Sequence, residues 1–329
     1  MKESRQDSEL DPLRAETAHR IAPPAEVSHD ISPEVSDEIP AISKSTSSKL
    51  TRKRKSEIQK PKRTRRIVRR CNFLSGKAWL QNSISVWSDI RKKAHDTAGQ
   101  HPALFPIALI ERLLETFLPV EGEVILDPFC GSGTTLLVAG QQHKSAIGLE
   151  LSAEYCESTM RRLKQLSEAQ QSRVVCHHAA AQDLDQFVSE TSVDLCITSP
   201  PYWNVLNRPR SADNKAQRHY GNLDGDLGLI ENYEEYLSSL QSIFQKVYQA
   251  LKPGAFCIVV VMDLRKGKVF YPLHSDLSQR MTQIGFILDD LIIWNRQYDY
   301  NNLRPLGFPA VFRVNKVHEY ILLFQKPRL

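Results

Sequence analysis

Two short segments of this 329-residue chain carry the residue types best suited to chemistry. In the first, Asp127-Pro128-Phe129-Cys130-Gly131-Ser132-Gly133-Thr134-Thr135 follows the strand-like run EVIL and leads straight into an apolar helical stretch. Gly131 and Gly133 remove the side chains that would hold a ligand away from the backbone, and the start of a helix offers free N–H groups. A dinucleotide fingerprint needs a third glycine where Leu136 stands, and a phosphate-cradling loop needs Gly-Lys-Ser/Thr, which the segment lacks. Phosphate binding is therefore disfavoured. The carboxylate of Asp127, placed directly before the glycines, instead suits a ligand with a positive amino group.

The next strand-like run ends at Glu150, about twenty residues on, where a carboxylate can accept from both ribose hydroxyls of a nucleoside. A cationic amino acid joined to a ribose is what S-adenosylmethionine presents. The candidate cofactor residues are accordingly Asp127, Pro128, Phe129, Gly131, Ser132, Gly133, Thr134 and Glu150.

The second segment is Thr198-Ser199-Pro200-Pro201-Tyr202-Trp203, at the end of the run VDLCITS. Two successive prolines fix the backbone, and each holds its predecessor extended, so the carbonyls before them form a rigid array that can accept from an –NH₂ group. Tyr202 offers a flat face for an extruded base, and Trp203 is expected to add a second.

These loops need elements to hold them. EVILDPF, SAIGLEL, RVVCHH, VDLCITS, AFCIVVVMD, DLIIWNR and HEYILLFQK read as seven short strands, while HPALFPIALIERLLETFLP, TTLLVAGQQ, AEYCESTMRRLKQLSEA, YEEYLSSLQSIFQKVYQALK and PLHSDLSQRMTQIGF carry helical spacing. Strand and helix in alternation predict an α/β fold, a doubly wound, mostly parallel seven-stranded sheet with helices on both faces. Ligands of such sheets bind beyond the carboxyl ends of the strands, where both segments fall.

Charge divides the rest. Residues 1–50 are rich in Ser, Pro, Glu and Ala, carry net charge −4 and read as a disordered tail, too poor in apolar side chains to offset the entropy of ordering. Residues 51–70 carry net +10 and read as a basic arm for nucleic acid, with Arg52, Lys53, Arg54, Arg63, Arg65 and Arg66 as phosphate contacts; residues 71–329, net −1, form the folded domain. Six scattered cysteines without metal spacing, and no apolar run long enough to span a membrane, predict a soluble cytoplasmic protein with no metal.

Taken together, DPFCGSGTT, TSPPYW, LKPGA and IIWNR resemble the ordered motifs of amino-directed DNA methyltransferases, with a match over roughly residues 77–326. The resemblance implies a Rossmann-like methyltransferase sheet and S-adenosylmethionine as cofactor. It makes Ser199, Pro200, Pro201 and Tyr202 the holders of the target amino group. The glycine loop precedes the catalytic loop, the reverse of many relatives, as in a circular permutation. An acid that often meets the adenine ring is replaced by Ala180, with Asp183 as a substitute. No large insertion exists to read sequence, which leaves the loops 204–222 and 297–313, including Tyr300 and Arg304, the basic arm, or a partner.

The implied reaction is transfer of a methyl group to cytosine N4 in DNA, with adenine N6 as the alternative; serine at the head of the loop favours cytosine. RNA-base and protein-glutamine methylation are lesser alternatives, as is a catalytically silent nucleic-acid-binding relative. Carbon-5 methylation needs a thiolate after a proline in its family, and none of the six cysteines follows one. DNA is the implied partner, with a cognate restriction endonuclease as companion; the oligomeric state stays open. Of the remaining polar residues, Asp263 and Arg265 end the fifth strand as candidates for a substrate contact or an ion pair, and His101 and His318 read as structural.

Overall fold

The structure, a computed structural model, describes residues 70–92, 104–205, 223–299, 303 and 305–328. The chain divides into Met1–Arg65 and Arg66–Leu329, and all described residues belong to the second unit. The expected tail, the arm residues Arg52, Lys53, Arg54, Arg63, Arg65 and Arg66, and also His101, Tyr300 and Arg304 lie outside the described residues.

All seven strand-like runs become strands of one eight-stranded sheet. In chain order these are β2 (Val124–Asp127), β3 (Ser145–Glu150), β4 (Val174–His178), β5 (Val193–Thr198), β6 (Leu251–Val261), β9 (Ile287–Asn295) and β10 (His318–Gln325). The eighth corrects the expected count: β1 (Val86–Trp87) adds in parallel to the β9 edge, pairing Val86 with Ile293 and Trp87 with Trp294. Two residues are too few to show a period of two in the sequence. The order is β1-β9-β10-β6-β5-β2-β3-β4, and β10 alone runs antiparallel, against β6 and β9. A separate hairpin, β7 (Leu264–Lys266) and β8 (Val269–Tyr271), follows β6.

The helices are α1 (Gly76–Asn82), α2 (Ile107–Phe117), α3 (Thr134–Gln141), α4 (Ala153–Leu163), α5 (Glu168–Gln171), α6 (Tyr233–Ala250) and α7 (Leu273–Ile284). Local chemistry sets their ends. Asn232 caps α6 by accepting from the Glu235 N–H, and Gly285, at φ 117°, takes the left-handed turn that stops α7.

Alternation along the strands sends side chains to opposite faces. Cys257, Val259 and Val261 of β6, with Leu322 and Phe324 of β10, join Tyr236 and Phe244 of α6 and Leu277 of α7. Their neighbours Ile258, Val260, Ile321 and Leu323 face the other way, toward Leu109 and Leu113 of α2 and Leu136 of α3. Each fully buried large apolar side chain contributes about 2 kcal/mol relative to exposure, which fixes the register of the sheet.

This order positions the chemistry. The chain leaves β2 outward through β3 and β4, then returns to add β5 on the other flank of β2. The carboxyl ends of β2 and β5, bearing the two expected loops, are therefore adjacent at the switch point, where a crevice opens in such sheets.

Candidate active site

The first corner is the turn between β2 and α3. Gly131 and Gly133 take positive φ of 53° and 71°, conformations that disfavour any side chain. A Cβ on Gly133 would stand 2.3 Å from Thr159 Cγ2 of α4, so the turn packs against that helix with no room to spare. The Thr159 hydroxyl donates to the Gly131 carbonyl at 2.8 Å, and Arg162 donates to Ser132 O and Thr134 Oγ1.

Asp127 is 2% exposed. Its Oδ1 accepts from the Phe129 N–H at 3.2 Å and Thr198 Oγ1 at 2.7 Å, and its Oδ2 accepts from Thr135 Oγ1 at 2.7 Å. These bonds tie the turn together, and Oδ2, with a single partner among the described residues, keeps a second lone pair. Burial raises the Asp127 pKa to about 6, against the three hydrogen bonds. Pro128, Ser132 and Thr134 are buried as well, whereas Phe129 stays half-buried.

Glu150 links this turn to β3. Its Oε2 accepts from the Gly131 N–H at 2.9 Å and its Oε1 from the Ser152 N–H at 2.8 Å. Each carboxylate oxygen keeps a second lone pair, which is what a pair of ribose hydroxyls requires. Burial raises Glu150 to about 7, with the Asp127 and Asp226 charges adding to it. Asp183 lies half-buried in the 3₁₀ turn Ala181–Gln186 after β4 and accepts from Gln186. The cradle with no space for a Cβ, the free N–H groups of the first turn of α3 and an acceptor carboxylate at a strand end together fit an amino-acid nucleoside such as S-adenosylmethionine.

The second corner follows β5. Thr198 is completely buried and supplies the bond to Asp127, so one hydroxyl joins the two loops. Pro200 is buried, while Ser199, Pro201 and Tyr202 are half-buried. The Pro201 carbonyl accepts from Tyr236 Oη at 2.7 Å and from the Trp203 N–H, whereas the Pro200 carbonyl accepts from none of the described residues.

Ser199 Oγ donates to Tyr202 Oη at 3.2 Å, and Tyr202 Oη donates to Glu319 Oε2 of β10 at 3.1 Å. Glu319 in turn forms an ion pair with Arg296, whose guanidinium stacks over Trp294 and also meets Asp299. Burial, and next the Glu319 charge, push the Tyr202 phenol well above its ordinary value, so its proton stays in place to be donated.

Trp203 departs from expectation. It is 3% exposed, its Nε1 donates to the Ile230 carbonyl, and its ring packs against Tyr233 and Tyr271 with Lys266 over it. An indole so enclosed is a core anchor of the loop and has no face left for a second base. Asp263 pairs with His274 and not with Arg265, while His318 packs edge-on to Tyr320.

Sequence reasoning missed Thr135, Thr198, Arg296 and Glu319. Glu319 had a signal: an acid inside the apolar strand HEYILLFQ must find a buried partner.

Comparison with known proteins completes the description. A family model described as DNA methylase matches residues 29–161 and 193–329. Among curated proteins, Type II methyltransferase M.ScaI of Streptomyces caespitosus is 38% identical over 106 residues, 31% of this chain and 32% of that protein. Orphan methyltransferase M.BamHII of Bacillus amyloliquefaciens is 45% identical over 67 residues, 20% of this chain and 25% of that one. The chain thus spans about a third of the first relative and a quarter of the second. A solved Thermus thermophilus protein, complexed with S-adenosyl-L-methionine, is similar at 26% identity and a TM-score of 0.33, over 45% of this chain and 51% of that one.

Proposed function

The chain belongs to the DNA methylase family, and from that membership we propose that it transfers the methyl group of S-adenosylmethionine to the exocyclic amino nitrogen of a base in DNA, cytosine N4 in preference to adenine N6. The observation that carries this reading is the 2.7 Å hydrogen bond from Thr198 to Asp127, which holds the starts of the glycine turn and the double-proline corner side by side.

When bound, S-adenosylmethionine supplies an electrophilic methyl group on a sulfonium. Glu150 would hold its ribose, and the backbone of Gly131–Gly133 with the start of α3 its methionine part. The amino nitrogen of a base is a poor nucleophile because its lone pair is delocalised into the ring. The Pro200 carbonyl, which has no partner among the described residues, and the Ser199 hydroxyl accept the two amino hydrogens, localise that lone pair and aim it. Hydrogen-bond polarity supports this assignment. Because Ser199 spends its own proton on Tyr202, and Tyr202 spends its proton on Glu319, Ser199 Oγ presents only lone pairs to an incoming N–H.

The base must leave the duplex to reach this corner, and Tyr202 is the ring against which it stacks. Serine at the head of the loop supports cytosine as the base. In this reading the enzyme works in the cytoplasm on duplex DNA, as companion to a restriction endonuclease.

The test is incubation of DNA with the purified protein and isotope-labelled S-adenosylmethionine, followed by mass spectrometry of the nucleosides. N4-methylcytosine is the expected product, formed much more slowly with Ser199→Ala. N6-methyladenine would reassign the base, and neither product would reject the reading.

A further inference from the structure

Hairpin β7–β8 leaves the carboxyl end of β6 beside the catalytic corner. Leu264 anchors its base at 3% exposed, and Gly267, at φ 56°, supplies the left-handed residue that a tight hairpin turn needs. Its outer part is basic: Arg265, Lys266 and Lys268 stand within four residues. Arg265 lies directly across the ladder from Phe270, with its guanidinium 5.3 Å from that ring's centre. From the loop before β10, Lys316 brings its Nζ to 3.9 Å from the centre of the same ring. Phe270, 40% exposed, thus gathers cations from two separate segments.

Arg265, Lys268 and Lys316 form no ion pair among the described residues, and the buried acid at the end of β6, Asp263, is held by His274 at 2.7 Å. Burial draws Lys316 below the ordinary lysine value, against the pull of Asp263 and with a smaller push from Arg265. Like charges gathered without a direct ion-pair partner repel one another, and an anion seated between them relieves that repulsion. The three cations stand on an exposed hairpin and its rim, which suits a repeating polyanion better than a small one.

We propose that this hairpin, with Lys316, clamps the phosphate backbone of duplex DNA beside the target nucleotide; the proposal rests on the DNA methylation reading above. Lys266 gives the clamp its register, since its Nζ sits 3.4 Å from the ring centre of Trp203, the residue after Tyr202. A strand seated on the hairpin is thereby placed relative to the loop that receives the base.

The experiment compares wild type with the triple variant Arg265→Gln, Lys268→Gln, Lys316→Gln, by fluorescence anisotropy of a labelled duplex over a series of salt concentrations. Loss of three phosphate contacts lowers the slope of log affinity against log salt by about 2 to 3. Affinity for S-adenosylmethionine and the thermal melting point stay unchanged, and Lys316→Arg, which keeps the charge, keeps the slope. If wild type methylates DNA and the triple variant retains its full slope, the clamp is wrong while the function stands. If wild type binds S-adenosylmethionine but labels no DNA base, both fall.

Discussion

Tyr202 and Glu319, 117 residues apart in sequence, are joined by a 3.1 Å hydrogen bond from the phenol to the carboxylate. Glu319 is 5% exposed and paired with Arg296, so its position is set by β10 and not by the loop it supports. A carboxylate accepts but never donates, and that asymmetry fixes the direction of the Ser199–Tyr202–Glu319 series. Replacing Glu319 with glutamine turns one acceptor atom into a donor and lets the series reverse, so that Ser199 donates where it should accept. Glu319→Gln is expected to lower the single-turnover methylation rate by about tenfold, the value of one misplaced hydrogen bond, with S-adenosylmethionine affinity unchanged. The discriminating measurement is a double-mutant cycle: in a Ser199→Ala background Glu319→Gln should cost nothing further. Additive losses would mean that Glu319 acts only on stability.

The two buried carboxylates of the cofactor corner make a pH prediction. Glu150 is raised from 4.5 to about 7 and Asp127 from 3.8 to about 6, in each case chiefly by burial. Between these limits the folded protein holds protons that the unfolded chain has released, so the stability of the cofactor-free protein falls as pH rises from about 4 to about 7. The combined change is on the order of a few kcal/mol. Thermal melts across that range should show the decline, and Glu150→Gln, which carries no titrating group, should flatten its upper part. Affinity for S-adenosylmethionine should move oppositely, rising between about pH 6 and 8, because an ionised Glu150 accepts from both ribose hydroxyls.

At Gly133, held at φ 71°, backbone geometry predicts an outcome. Alanine there carries the left-handed penalty of about 1 kcal/mol and drives a Cβ to 2.3 Å from Thr159 Cγ2. Gly133→Ala should lower stability by about 2 kcal/mol or more and abolish calorimetrically detectable cofactor binding. Adding Thr159→Ser, which deletes the clashing methyl, should recover part of the stability. No recovery would place the strain elsewhere.

Trp203 is expected to behave as core. Trp203→Ala should destabilise the protein by about 3 to 5 kcal/mol through the cavity it leaves. Trp203→Phe keeps most of the volume but loses the hydrogen bond to Ile230 and should cost less, with the methylation rate at saturating DNA preserved. A Phe variant of normal stability that cannot methylate would restore a direct role with the base.

The chemistry was legible because each corner is contiguous. Asp127 to Thr135 and Thr198 to Trp203 each place backbone, glycine or proline constraints and polar groups within a few residues, and local stereochemistry then limits what they can do. The strands and helices were legible for the same reason, since periods of two and 3.6 residues are short-range signals. What escaped were elements without a period, such as the two-residue β1, and partnerships across the sheet.

The sequence by itself determined the alternating α/β order, the two loops and the kinds of ligand they suit. Only the tertiary structure decided that Thr198 reaches Asp127, that Glu319 and Arg296 brace Tyr202, that Trp203 turns inward, and that Lys316 joins Arg265 over Phe270. These contacts depend on strand order and on which face each residue takes, quantities set by global packing of the whole core. A residue's spacing along the chain says nothing about a neighbour that arrives a hundred residues later from the other side of a sheet.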